Sequence, residues 1–463
     1  MKLFSWQWLA VSSLLCATLA ARAQTRPHYG GALHVTMRAA PSSLDPVDGA
    51  QADSFARRSF TALIFETLVM LDESGRPKPA LALSWQADHD NQRWQFHLRR
   101  GIRFHDGSAF TSEQAASSLR AANPSWNISS DADSVIITCD APDPDLPAEL
   151  ALSINAIAKR SPDGKLSGTG PFHIVNWQTG KYLSLAAEDN YWGGSPFLDA
   201  VEVEFGKSFH DQMIALDLGK ADLIEVAPEQ SRHIASDTRQ SASSEPLELL
   251  ALLFTRDAQT QDEKLLREAL ALSVDRVSIR NVLLQGVGQP AGSIIPNWMS
   301  GYAFTFPTEA DLSRARHERE QAKIVPVWTV GYDGSDPMAR LLVERIALNA
   351  KDAGLKLQPT TAATFDLRLA RISLSSVDAW VSLGSVATYL HLPRPVEGSS
   401  AEELYAAEQS ILATQKIVPL FHLPVSYAAA TSVKQWMPRP DGTWNLSDTW
   451  MQIEDRSLRN GKP

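Results

Sequence analysis

The sequence predicts an α/β protein of two or three domains. Its 463 residues exceed what one core usually serves, at roughly 100–200 residues per domain. Short alternating apolar runs, typical of half-buried strands, are interleaved with helical periodicity along its length. From Glu263 onward the texture changes to longer helices separated by single strands, which implies a second sheet. With 44% apolar and 21% charged residues, the composition is that of a globular chain able to bury large cores.

The opening stretch, MKLFSWQWLAVSSLLCATLAARAQ, has a positive start at Lys2, an apolar run to Leu19 and small residues around Arg22 at Ala21 and Ala23. That is the pattern of a signal peptide cleaved after Ala23, because the run is shorter than the ~20 residues a spanning helix needs. Cys16 follows Leu15, a poor context for lipid attachment, so a soluble exported product is expected. Removing residues 1–23 leaves Cys139 alone, and a single thiol makes no internal disulfide. Lys2 and Arg22 leave with the peptide and deepen the net charge from −10 to −12. That balance argues against a nucleic-acid partner, which needs a basic stripe.

Element by element, residues 32–37 have strand character and end at the breakers Pro41 and Pro46. Leu63, Ile64, Leu68 and Leu71 lie at helical spacing and predict an amphipathic helix over 59–72. Trp94, Phe96 and Leu98 alternate as in a strand, Asp106-Gly107 turns, and Thr111 with Gln114 forms a capping box that opens a helix. Phe172 and Ile174 begin a strand that turns at Thr179-Gly180 into another over 182–187. Asn190-Tyr191-Trp192-Gly193-Gly194 closes a tight turn, and residues 198–205 alternate again. Leu266, Leu270, Val274 and Val277 share one helical face up to Gly286. A strand at 324–332, a helix at 338–353 and a strand at 355–359 form a βαβ unit. A helix from Ala401 leads into the apolar strand IVPLFHLPVSYAA.

No catalytic constellation emerges. There is no Gly-x-Ser-x-Gly elbow, no pair of histidines one helical turn apart with a glutamate, and GVGQPAG (286–292) follows a helix and not a strand. DHDN (88–91) and DAPDPD (140–145) lack the glycine and terminal glutamate of a calcium loop. No metal site or cofactor is expected. A secreted hydrolase built from remote carboxylates is the rival reading from another class.

Five stretches, in order, resemble the extracellular solute-binding proteins of oligopeptide, dipeptide and nickel ABC transporters. They are PSSLDP (41–46), WQFHLRRGIRFHDGSAFTSEQA (94–115), GTGPF with NYWGG (168–194), LREALALSVDR (266–276) and LYAAEQSILATQKIVPLFH (404–422). The resemblance implies a periplasmic-binding-protein-like fold of type II, cluster C-like, with two α/β lobes joined by a hinge. It places lobe I at residues 24–255 plus 425–463, with a reduced accessory subdomain at about 50–165, and lobe II at 256–424. It implies a periplasmic, monomeric receptor that delivers a peptide or related small solute to an inner-membrane permease. The same fold serving as a sensor or chaperone without transport is the alternative. In this family the Gly-Thr-Gly-Pro-Phe and Asn-Tyr-Trp-Gly-Gly segments are scaffold, so Trp177 and Trp192 are read as structural.

The chain departs from the family between Asp378 and Ala401. A W-x-x-D-Y-P-D-P stretch, whose aspartate pairs with a peptide's amino terminus in peptide-binding members, is not matched beyond Trp380. Asp378 is read as the end of the preceding strand, and Tyr389 and Arg394 as residues of a shortened loop. A buried ammonium without a carboxylate is costly, so a smaller, neutral or anionic solute is expected. The candidate ligand contacts are Trp298, Trp380, Tyr389, Arg394 and Phe421, while His422 is read as a structural histidine.

Overall fold

In the computed structural model the described residues are 27–48, 54–227, 230, 234, 239–302, 306–396, 398 and 400–452. The expected signal peptide, residues 1–23, lies outside them, as do residues 453–463 of the expected first lobe. Among the described residues no helix is long and apolar enough to cross a membrane.

A single eleven-stranded sheet runs through the molecule. The βαβ strands after Glu263 join it through the long pair at its centre and do not form the second sheet expected. The strand order divides the sheet into two halves. One half runs Phe172–Gln178, Tyr182–Ala187, Ala200–Glu204, Ala32–Thr36 and Leu223–Val226. The other runs Leu367–Ser373, Val327–Gly331 and Lys356–Thr360. Between them lie the two longest strands, Arg239–Phe254 and Ile417–Ala430, paired antiparallel along their length. Ala32–Thr36 lies parallel to both of its neighbours, and Val327–Gly331 to both of its own, as βαβ connections require.

The cores follow the same division. Leu33, Val35, Phe60, Phe172, Val201, Tyr427 and Trp444 belong to one buried cluster on the first half. The second half is covered on both faces: Leu250, Leu252, Leu270, Val330 and Phe421 lie in one cluster, and Leu249, Ala251, Ile372 and Leu404 in another. The alternation along Leu247–Phe254 therefore sends successive side chains to opposite cores, and the strand reads as a continuous apolar run. A separate four-stranded antiparallel sheet, Ala82–Ala87, Arg93–Leu98, Ser134–Thr138 and Asn127–Asp131, carries the helix Ser112–Ala122 and its own core around Phe96 and Leu119.

Local signals hold where they carry their own hydrogen bonds. Thr111 and Gln114 form the capping box, and Ser400 and Glu403 form another before Ala401–Ala413. Three further expectations are corrected. The helix expected over 59–72 spans Phe55–Ile64 and stops at the extended Phe65, because Glu66 bridges to Ile157 and Val69–Leu71 form a short strand. The periodicity up to Gly286 belongs to two helices, Gln261–Ser273 and Arg276–Val282, since Asp275 turns its carboxylate onto the Ser278 N–H and caps the second. Asp378 is not in a strand: it caps the helix Ala379–Tyr389, so the supposed loop is largely helical.

Candidate functional site

A cavity of about 270 Å³ opens where the two halves meet. Arg38, just beyond Ala32–Thr36, is its contribution from the first half. The second half supplies Asp333 and Asp336 from the loop after Val327–Gly331, Arg368 and Arg371 from Leu367–Ser373, and Tyr389 from the end of its helix. Both Arg38 and Asp333 lie just past the carboxyl ends of parallel strands, where open α/β sheets place ligands.

The electrostatics are largely fixed by the protein itself. Asp336 Oδ1 accepts from the N–H groups of Met338 and Ala339, capping Pro337–Asp352, and its Oδ2 lies 3.6 Å from Arg371. The Ser335 hydroxyl and N–H donate to Asp333 Oδ1 and, with Arg38 and Arg371 nearby, hold that carboxyl below its usual range. Arg371 Nη1 donates to Glu248 at 2.6 Å. Arg368 Nη2 donates to the Tyr389 hydroxyl at 2.5 Å.

Other contacts span the two halves nearby. Arg58, on Phe55–Ile64, donates from Nη1 to the Leu374 carbonyl at 2.6 Å. Arg394 forms an ion pair with Glu149, a residue only 6% exposed. A Cβ on Gly384 would stand 3.0 Å from the Arg394 guanidinium, so the glycine makes room for that side chain against the helix. A wider groove of about 590 Å³ runs beside these contacts, with Arg58, Glu66, Met70 and Trp192 on one side and Ser375–Val377 on the other.

Glu66 explains the punctuated segment 168–194. Its carboxylate accepts from the Thr169 hydroxyl, the Tyr191 hydroxyl and the Trp192 indole N–H, each at 2.8 Å. One acid thus ties the Gly-Thr-Gly turn to the Asn-Tyr-Trp turn. Burial pushes this carboxyl above its usual range, against the three donors that favour its ionised form. Gly168 and Gly170 complete the junction, since a Cβ on Gly168 would meet the Ile64 carbonyl oxygen at 1.9 Å.

The model of the bacterial extracellular solute-binding proteins, family 5 Middle, matches residues 76–391. The chain belongs to this family. The nickel-binding protein NikA of Staphylococcus aureus is 27% identical over 243 residues, which cover 49% of this chain and 49% of that protein. The probable D,D-dipeptide-binding periplasmic protein DdpA of Escherichia coli is 24% identical over 322 residues, 63% of this chain and 62% of its own. The matched stretches thus span about half to two thirds of such curated relatives. Among solved structures, the periplasmic binding protein DppA of Helicobacter pylori, in complex with the peptide STSA, superposes with a TM-score of 0.79 at 18% identity. That superposition covers 93% of this chain and 100% of the other. NikA of S. aureus gives a TM-score of 0.77 at 18% identity, covering 91% and 99%. The two-lobe family 5 fold implied by the resemblance is the fold observed.

Within this family 5 fold the expected contact residues scatter. Tyr389 lines the smaller cavity. Arg394 pairs across the lobes with Glu149 and lines neither cavity. Trp298, 39% exposed on Asn297–Ser300, and Trp380, half-buried against the second-lobe core, also line neither. Phe421 is 0% exposed inside that core, its backbone opposite Leu250 and Pro290. His422 is structural, its Nε2 2.9 Å from the Ile294 carbonyl oxygen. Arg38, Asp333, Arg368 and Arg371 were not singled out from sequence, although GYDGSDP lies between a strand and a helix already recognised there.

Proposed function

We propose that this chain is an exported solute-binding receptor that closes its two lobes on a compact polar guest at the cavity lined by Arg38 and Asp333, and hands it to an ABC permease. The observation that carries the reading is the convergence of polar groups from both lobes on one cavity. A guest touching only one lobe gives no reason to close, because a ligand shifts a two-state equilibrium only by its differential affinity. Relatives named for binding nickel or a D,D-dipeptide support small-solute capture as the role. Of the residues singled out from sequence, Tyr389 is the proposed ligand contact, and the chain binds its guest without transforming it.

The hinge is proposed at the crossing of the two long strands. Pro246 stands opposite Pro424, and the pairing slips between Ser243 and Pro246 and again between Pro246 and Glu248. Neither proline has an N–H to donate, so the ladder is weakest there and bends at least cost. Export follows from the signal-like residues 1–23, and a monomer is the state proposed.

The test is a thermal-shift screen of the purified chain across peptides, amino acids, organic acids, sugars and metal chelates, followed by small-angle scattering of each hit. A bound guest raises the melting temperature by mass action and contracts the molecule. If no solute does both, the receptor reading is wrong.

A further inference from the structure

We propose that the guest is a compact oxyanion, gripped by Arg38 from the first lobe and Arg368 from the second. This rests on the receptor reading above and adds the ligand's charge to it.

The argument is an account of each charge around the cavity. Both aspartates are engaged by the protein: Asp336 by two backbone N–H groups and Arg371, Asp333 by Ser335 and by the nearby charges of Arg38 and Arg371. Arg371 is engaged by Glu248 and Asp336. Two guanidiniums differ. Among the described residues the Arg38 side chain makes no hydrogen bond or ion pair; Asp333 and the buried Glu225 feel its charge without touching it, and that charge lies 5.3 Å from the Phe209 ring centroid. Arg368 is exposed, and its polar partner is the neutral Tyr389 hydroxyl, with its charge 5.7 Å from that ring centroid.

Closure takes both guanidiniums out of bulk water, which is costly for a charge that no carboxylate touches. A neutral guest leaves that cost standing, and an ammonium adds a third positive charge beside acids already committed. An oxyanion removes it, and carboxylate and phosphate both match the planar fork of arginine. Because one fork comes from each lobe, the anion is held by both only in the closed form. That is the differential closure requires. At about 270 Å³ the space falls just below the ~300–1,000 Å³ of pockets for drug-sized ligands, so the guest is small.

The experiment is isothermal titration of the full mature chain with glutarate, N-acetylglutamate and inorganic phosphate, beside glutaramide, lysine and alanyl-alanine. At least one oxyanion is expected to bind where glutaramide and lysine do not, and the carboxylate and phosphate arms identify the headgroup. R38Q and R368Q are each expected to weaken that binding about 10- to 100-fold, the loss of a charge-assisted hydrogen bond. R38K and R368K, which keep the charge but not the fork, should fall between. Binding of no oxyanion, equal binding of glutaramide or lysine, or oxyanion binding indifferent to both glutamine variants overturns the proposal. If alanyl-alanine or lysine alone contracts the molecule in scattering, the receptor reading stands and the charge assignment falls. If nothing contracts it, both fall.

Discussion

Replacing Glu66 with alanine tests whether one carboxylate holds the segment 168–194 in place. The substitution strips acceptors from Thr169, Tyr191 and Trp192 together. Thr169 is 2% exposed and Tyr191 is partly buried, so their hydroxyls gain little from water, whereas Trp192 at 38% exposure can be hydrated. Each buried donor left unpaired costs about 1–3 kcal/mol, so the two enclosed ones account for roughly 2–6 kcal/mol. Relief from burying a carboxylate offsets part of this, leaving an expected loss of about 3 kcal/mol. For a cooperative unit of 150–250 residues that lowers the melting temperature by about 6–12 °C in scanning calorimetry. Glu66→Gln should cost far less, because its amide oxygen can still accept from Thr169 and Trp192 while its NH2 donates to the Tyr191 oxygen. The glutamine variant also has a pH signature. The Glu66 carboxyl is raised in the folded state, so its contribution is fullest at low pH and declines as pH rises above the ordinary glutamate value near 4.5. Glu66→Gln should remove that decline. A Glu66→Ala protein that melts with the wild type, or a glutamine variant as unstable as the alanine one, refutes the reasoning.

Four further outcomes are expected. Gly168→Ala forces a Cβ to 1.9 Å from the Ile64 carbonyl oxygen and should cost more than about 4 kcal/mol, seen as loss of soluble protein. By contrast, Gly180→Ala, at φ +76° with nothing within 4 Å, should cost only about 1–2 kcal/mol by chemical denaturation. Burial pushes the His422 imidazole from 6.5 to about 4, so the folded state keeps it neutral while the unfolded chain protonates. Stability is therefore full above pH 6.5 and falls by about 3 kcal/mol toward pH 4, a slope that His422→Gln should flatten in denaturation at several pH values. Arg394→Ala removes the cross-lobe partner of the buried Glu149, and scattering of the unliganded variant should show a larger radius of gyration than the wild type.

The fold was legible wherever one short stretch carries its own reason. Thr111 and Gln114 satisfy each other within four residues, and the alternation of Trp94, Phe96 and Leu98 needs only one buried face. Elements whose limits are set from afar were misread. The helix ending at Ile64 stops where Glu66 bridges to Ile157 and the Gly170 N–H donates to the Ile64 carbonyl, partners about a hundred residues away that periodicity has no access to. The cleft was harder still. Aromatic residues were favoured as ligand contacts, yet Phe421 is drawn into the core by strands pairing on both sides, and Trp380 covers a hydrophobic face. Arg38 and Arg368 carry no local signature. They face one cavity only because strands over three hundred residues apart end at the same crevice.

On the proposed receptor reading, the same distance explains how few dedicated groups are needed. Moving an open-to-closed ratio from 1:99 to 99:1 takes about 5.5 kcal/mol of differential binding, more than a small guest readily supplies. On that reading closure already has contacts of its own: the Arg58 guanidinium on the Leu374 carbonyl, and Arg394 on Glu149. Each narrows the gap between the two forms before any guest arrives. On the proposed reading the guest needs to supply only the remainder, against the repulsion of two guanidiniums that no carboxylate touches. Facing prolines at 246 and 424 keep the strand crossing pliable, so the balance is struck between cross-lobe contacts and charge repulsion. In such a design the guest acts less as glue than as the missing counter-charge.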